Sequence, residues 1–278
     1  MMSQKSYDEK AALYLIPTPV GNMDDITLRA IKTIESVDIL LTEDTRVTGL
    51  LLNHLGIKKK MIVNNDHNEE KNKEIVIKHL EEGKNVGLVS DRGTPIISDP
   101  GFNISKIIID AGYNVIGLPG ATALIPALIM SGLNPLPFMF IGFLNSKESK
   151  RIKELEELKN IKATLLFYEA PHRIVKTLNN IQEVFGDRNI SISREISKRY
   201  EEVYRGKISE ILPLIADAKG EMVVVVEGNT SVSNFDDISI IDQINMLVED
   251  GVSVMDAVKQ VAKRKNLPKS EVYNMYHK

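Results

Sequence analysis

Gly87-Leu88-Val89-Ser90-Asp91-Arg92-Gly93-Thr94-Pro95-Ile96-Ile97-Ser98-Asp99-Pro100-Gly101 is the stretch on which the reading of this chain turns. Its apolar start ends in a polar loop holding two Gly and two Pro, and a helical pattern from Phe102 to Ala111 follows. That order describes a strand that breaks into a shaped loop at its carboxyl end, where ligands of open α/β sheets bind. Gly93 and Gly101 allow close backbone approach or positive φ, and Pro95 and Pro100 stiffen the loop. Ser90, Asp91, Thr94, Ser98 and Asp99 supply hydroxyls and carboxylates. The plainer reading is a long connection in which Ser98 or Asp99 caps the next helix.

Upstream, Ala11 to Ile16 reads as a strand running into Pro17-Thr18-Pro19-Val20-Gly21-Asn22, with Asp24 or Asp25 capping a helix that continues to Val37. Val37 to Leu41 and Met61 to Val63 repeat the strand signal, with helices expected from Val47 to Leu55 and from Glu69 to Glu82. Downstream, Tyr113 to Leu118 and Phe138 to Phe143 are the next strands. Alternating strands and helices predict a largely parallel sheet covered on both faces. The polar, basic stretch 144–151 is the expected domain boundary. Beyond it, strands at Ala163 to Tyr168, Ile190 to Arg194, Glu201 to Arg205 and Glu221 to Val226, with helices ending at Phe185 and Ala216, form a second α/β layer. A polar linker at 231–237 leads to two or three short helices. The expected organisation is an N-terminal α/β domain at 11–144, a second α/β domain at 145–230 and a C-terminal helical, helix-turn-helix-like segment at 236–278.

Composition narrows the function classes. With 278 residues and 43% hydrophobic content the chain can bury the cores of two domains. It has no cysteine, which excludes a disulfide scaffold, a thiolate metal site and a catalytic thiol. The polar N-terminus and the short apolar runs carry neither a signal-peptide nor a membrane-span pattern, so a cytoplasmic protein is expected. A net charge of -3 leaves nucleic-acid binding to local basic clusters such as Lys58 to Lys60, Lys147 to Lys153 and Lys198-Arg199. There is no G-x-G-x-x-G after the first strand, no Walker phosphate loop and no G-x-S-x-G elbow. None of the five His stand at metal-ligand spacing, so no metal is expected. What remains are charged pairs at strand ends: Asp44 with Arg46, Asp66 with His67, Asp91 with Arg92, Glu169 with Arg173, and Arg194 with Glu195.

Several blocks in order carry a more specific signal: Leu13 to Asn22 (LYLIPTPVGN), Glu43 to Leu51 (EDTRVTGLL), Asp66 to Glu69 (DHNE), Val89 to Pro95 (VSDRGTP), Leu118 to Gly120 (LPG), Phe167 to Arg173 (FYEAPHR) and Gly220 to Val223 (GEMV). Together they resemble the tetrapyrrole methylase superfamily, and within it the ribosomal small subunit methyltransferase I family. The resemblance implies two α/β domains with a cleft between them that binds S-adenosylmethionine, a homodimer, and 2′-O-methylation of a cytidine ribose in the decoding region of 16S ribosomal RNA in the small subunit.

Carried over, it implies a cofactor side made of Ser90, Asp91, Gly93, Thr94, Pro95, Ser98, Asp99, Gly120, Ala121, Thr122 and Ala123, with Phe167, Tyr168, Met222 and Val223 from the second domain. Arg92 departs from the family pattern, which usually has Ala there, and Ala121 stands where Pro is usual. A 2′-hydroxyl is a poor nucleophile while protonated, so the chemistry calls for proximity and a positioned base. Asp44, Asp66 and Glu169 are the expected base candidates, and Asn22, Arg46, His67 and Arg173 the expected positioning groups. The competing expectations are a tetrapyrrole-precursor methyltransferase of the same fold and a ligand-sensing DNA-binding regulator.

Overall fold

A computed structural model describes residues 4–6, 9–65, 68–230 and 239–277. Asp66, His67 and the expected linker at 231–237 lie outside the described residues. Two compact units are present, one ending at Gly228 and the other starting at Asn229.

The first unit contains two five-stranded sheets. The strands β1 (Ala12–Leu15), β2 (Ile39–Thr42), β3 (Met61–Val63), β4 (Val86–Val89) and β5 (Asn114–Gly117) form a wholly parallel sheet in the order β3-β2-β4-β1-β5. Side chains alternate across it. Leu13, Ile39, Leu41, Val86 and Leu88 pack on α3 (Glu69–Glu81) and α4 (Phe102–Asp110) through Val76, Leu80, Ile104 and Ile108. On the opposite face Ala12, Leu40, Val89 and Ile116 meet Ala30, Ile34 and Leu52 of α1 (Leu28–Ser36) and α2 (Thr45–Leu55). Burial on both sides is why these strands read as continuous apolar runs.

The second sheet runs β6 (Phe138–Phe143), β7 (Thr164–Glu169), β10 (Met222–Val226), β8 (Asn189–Arg194) and β9 (Glu202–Lys207). It is mixed: β6 pairs parallel with β7, while β10 runs antiparallel to both its neighbours and β9 antiparallel to β8. Central β10 is buried along its whole length, as its Met-Val-Val-Val-Val sequence requires. Its Met222, Val224 and Val226 face α7 (Ile174–Phe185) and α8 (Ile208–Ile215). Val223 and Val225 face α5 (Leu124–Met130), a helix the sequence reading did not identify.

Two expectations need correction. Strand β6, placed in the first domain by pattern alone, belongs to the second sheet, so the change of sheet falls between Gly117 and Phe138 rather than at 144–151. Much of that polar stretch is the first turn of α6 (Glu148–Leu158), an amphipathic helix that buries Arg151 and Leu155. Helix α1 is capped not by Asp24 or Asp25 but by Thr27, whose hydroxyl accepts from the Ala30 N–H at 3.0 Å. Asp24 and Asp25 lie in a short 3-10 turn in front of it.

The second unit is three helices, α9 (Ile240–Glu249), α10 (Val254–Lys265) and α11 (Lys269–Tyr276), around Ile244, Val258, Val261 and Val272. Ser239 and Ser253 cap the first two, and Asn266 ends α10 in the left-handed conformation. None of the described helices is long and apolar enough to cross a membrane.

Candidate active site

Strand direction gathers the site. All five strands of the first sheet point the same way, so the loops after β1, β4 and β5 emerge together at its carboxyl edge. Thr18 and Gly93 exchange backbone hydrogen bonds of 2.8 and 3.0 Å, tying the first two loops. The Thr18 hydroxyl also donates to the Ser90 carbonyl, and the Thr94 hydroxyl donates to the Ala121 carbonyl at 2.9 Å, adding the third loop. In the second sheet the antiparallel register sets Met222, at the start of β10, beside both Glu169 and Arg194 at the ends of β7 and β8. Six chain segments thereby meet at one cleft between the sheets.

The β4 loop that opened the sequence reading is held in uncommon backbone conformations. Ile96 and Ser98 have φ of 76° and 65°, and Gly93 and Gly101 have φ of 80° and 127°. A β-branched residue at positive φ costs of order 1–3 kcal/mol and persists where its surroundings over-determine it. Gly101 is the residue in front of α4 and no side chain caps that helix, which removes the plainer reading of Ser98 and Asp99 as caps.

The cleft encloses a cavity of about 380 Å³. Nine expected cofactor residues line it: Gly93, Thr94, Ser98, Asp99, Thr122, Ala123, Tyr168, Met222 and Val223. Ser90 and Asp91 line an adjoining cavity of about 470 Å³. Phe167 does not reach either cavity. It is fully buried on the other face of β7, packed among residues of α7 and α8, because adjacent strand residues point to opposite faces. Pro95, Gly120 and Ala121 shape the loops from behind: a Cβ on Gly120 would lie 2.5 Å from the Pro17 ring, a contact only glycine avoids. Sequence reasoning missed Val20, Ile97, Phe143, Ile196, Lys198 and Glu221, all of which line the smaller cavity. For Ile196, Lys198 and Glu221 the available signal was their adjacency to expected strand ends.

Arg92 joins the two sheets. Its Nη1 lies 2.7 Å from both carboxylate oxygens of Glu221. Lys198 Nζ lies 2.8 Å from Glu195 Oε1 and 3.3 Å from Glu221 Oε2. Arg92, Glu195 and Lys198 line both cavities, so this ion network is their shared wall.

The expected catalytic groups have different positions. Asp44 is the N-cap of α2 and accepts from Arg46, both backbone and guanidinium. The Arg46 hydrogen bonds hold its carboxyl down at about 2. The Arg46 side chain is 88% exposed. Asn22 caps the 3-10 turn by accepting from the Asp24 N–H. Glu169 is buried: Oε1 accepts from the Ala170 N–H at 2.8 Å and lies 3.1 Å from Arg173 Nε, and Oε2 accepts from the Thr177 hydroxyl at 2.6 Å. Arg173 in turn donates to the Leu144 carbonyl. The Glu-Ala-Pro-His-Arg segment is thus clasped to its own sheet.

Asp99 stands apart. Burial pushes its carboxyl up to about 7, with the negative charges of Glu43 and Asp91 adding to the rise and a hydrogen bond from Ser90 opposing it. Burial also raises the neighbouring Tyr168 hydroxyl, which bonds to Thr122.

Residues 12–212 match the family described as Tetrapyrrole (Corrin/Porphyrin) Methylases. The chain is 42% identical, over 99% of its own length and 97% of the relative's, to a ribosomal RNA small subunit methyltransferase I of Bacillus subtilis (strain 168). In fold it resembles the methyltransferase CobJ, with a TM-score of 0.61 at 17% identity over 79% of this chain and 95% of that one. It also resembles uroporphyrin-III C-methyl transferase from Thermus thermophilus complexed with S-adenyl homocysteine, with a TM-score of 0.56 at 16% identity over 78% and 97%. With the family match, the fold similarity and the full-length sequence similarity in agreement, the chain belongs to the tetrapyrrole methylase family, in its ribosomal RNA small subunit methyltransferase I branch.

Proposed function

We propose that the protein transfers the methyl group of S-adenosylmethionine to the ribose 2′-hydroxyl of a cytidine in the decoding region of 16S ribosomal RNA, acting in the cytoplasm as a homodimer. The observation that carries the reading is the cleft cavity, walled by both sheets, in a chain whose full length matches a relative named for this class of substrate.

The cavity fits the cofactor chemically. Its volume lies in the range of about 300–1,000 Å³ usual for small-molecule sites, and its walls divide by polarity. Tyr168, Ile196, Met222 and Val223 offer an apolar side for an adenine ring and a thioether. Thr94, Ser98 and Thr122 offer hydroxyls for a methionyl tail. Gly93 lets the backbone approach closely, since a Cβ there would sit 3.3 Å from Val20 at a φ of 80°. When bound, S-adenosylmethionine supplies an electrophilic methyl group on a sulfonium.

The protein's own task is placement. The tied β1, β4 and β5 loops fix one side of the cleft and the start of β10 fixes the other, which favours in-line approach of an acceptor through proximity. The adjoining cavity, lined by Pro19, Met23, Leu50 and Leu51 with Arg92 and Lys198 at its wall, offers apolar surface for a base and cations for phosphate. In the second unit, Lys263, Arg264 and Lys265 in the last turn of α10 and Lys269 at the start of α11 supply a further basic cluster for RNA.

Transfer of labelled methyl from S-adenosylmethionine to small subunits lacking the modification tests the reading, with free 16S RNA, large subunits and tetrapyrrole precursors alongside. Label confined to small-subunit RNA is expected. Label on a tetrapyrrole alone, or none on RNA while S-adenosylhomocysteine binds, overturns the RNA acceptor.

A further inference from the structure

We propose that Asp99 is the catalytic residue that accepts the hydroxyl proton of the methyl acceptor. The inference rests on the methyl-transfer reading above and adds to it the group that completes the chemistry.

The carboxylates of the cleft are distinguished by their partners. Glu169 also lines the cavity, but it has both oxygens engaged by Ala170, Arg173 and Thr177 and anchors its own loop. Glu195 and Glu221 face Lys198 and Arg92 in the shared wall. Asp91 accepts from the Asp44 N–H at 3.1 Å, and Asp44 is fixed by Arg46 outside both cavities. Asp99 lines the cofactor cavity with a hydrogen bond from the Ser90 hydroxyl, and among the described residues no Lys, Arg or His pairs with it. A carboxylate fixed by cations or N–H donors is a poor proton acceptor, whereas one held only by a hydroxyl retains its basicity.

The backbone supports the same assignment. Ile96 and Ser98 carry the loop through positive φ before presenting Asp99, and α4 takes no cap from it. The groups that face Asp99 are Glu43 at the end of β2, Asp91 on its own loop and the Tyr168 hydroxyl on β7, and none is a cation. Burial among them holds the carboxyl at about 7, so a large fraction is ionised at neutral pH while its conjugate acid remains weak.

The step balances. The acceptor oxygen forms a bond to the methyl carbon, the carbon–sulfur bond breaks with its electron pair retained on sulfur, and the O–H proton passes to an Asp99 carboxylate oxygen. The proton then leaves to water after the products depart.

The test combines three readouts on the full chain: single-turnover methylation of small subunits lacking the mark, calorimetry with S-adenosylhomocysteine, and ¹³C NMR titration of labelled aspartate. For Asp99→Asn the rate is expected to fall on the order of 10²-fold or more, the usual range for losing a general base. Binding of S-adenosylhomocysteine is expected to stay within about threefold of the parent. The parental rate should rise with pH along a limb centred near 7, the limb should be absent from the variant, and the resonance missing in the variant should titrate near 7 in the parent. Asp99→Glu should restore part of the rate.

A variant rate within about fivefold of the parent, a loss recovered by saturating cofactor, or a resonance that titrates below pH 5 overturns the assignment. Should Asp99→Asn fail to fold, a flat parental pH profile between 5.5 and 8.5 overturns it independently. Parental protein that methylates no RNA refutes the RNA reading and the acceptor proposed for Asp99 together; an active parent with an unimpaired variant refutes Asp99 alone.

Discussion

Replacing Asp99 by Asn should stabilise the protein at neutral and alkaline pH while impairing it as an enzyme. The carboxyl is raised from an ordinary value of 3.8 to about 7 in the folded chain. For an acid with a raised folded pKa the folded state holds the proton more tightly than the unfolded state. Its favourable contribution is therefore complete below about pH 4, declines as pH rises, and is gone above about 7. Converted at about 1.4 kcal/mol per pH unit, the shift corresponds to about 4 kcal/mol. Solvent reaches part of the group, and screening reduces this to about 2 kcal/mol. Urea unfolding of parent and variant at pH 4, 6 and 8 reads the effect as a shift in midpoint. The variant is expected to gain about 2 kcal/mol over the parent at pH 8, less at pH 6 and almost nothing at pH 4, an active-site carboxylate being held at a cost to stability. A variant that is equal to or less stable than the parent at pH 8 would refute the reasoning, since it would mean that the ionised carboxylate is well solvated or paired.

Other substitutions separate architecture from chemistry. Glu169→Gln leaves the half-buried Arg173 without its anion and should cost about 1–3 kcal/mol in chemical denaturation; the pH dependence of the rate should keep its parental shape, and loss of the limb near pH 7 would restore Glu169 as a base. Gly120→Ala would drive a Cβ to within 2.5 Å of the Pro17 ring, so binding of S-adenosylhomocysteine should weaken at least tenfold by calorimetry, and unchanged binding would show that the β1 and β5 loops can separate freely. Arg92→Ala removes a pair whose side chains are 51% and 67% exposed, so stability should change by less than about 1 kcal/mol. If Arg92 also meets phosphate, the same variant should bind small subunits more weakly with a shallower salt dependence, and an unchanged salt slope would confine it to its bridge with Glu221.

Much of this was legible in the chain because local chemistry and tertiary role coincide. Val86 to Val89 and the Gly93/Gly101 loop specify a buried strand and a shaped turn wherever they are placed, and the first sheet follows the expected alternation. Glycine 120 and the Thr-Pro segment after β1 likewise mark a close approach of loops. The second sheet was harder to read, since nothing in Phe138 to Phe143 distinguishes an edge strand of one sheet from that of another; its pairing with β7 is a long-range choice. The family resemblance implies Phe167 and Tyr168 together in the cofactor wall, yet the strand period sends neighbours to opposite faces. The family resemblance puts Asp99 on the cofactor side, and strand-end placement makes Glu169 a base candidate. Only the partners of each carboxylate, set by residues as distant as Glu43 and Thr177, separate an anchored group from a basic one.

The most direct test of the account is nucleoside mass spectrometry of 16S RNA from small subunits lacking the modification, after incubation with the protein and S-adenosylmethionine, coupled to nuclease mapping of the product. The account predicts 2′-O-methylcytidine at a single position in the decoding region, formed by the parent and lost with Asp99→Asn. Methylation on a base, at scattered positions, or on no nucleoside at all would contradict it.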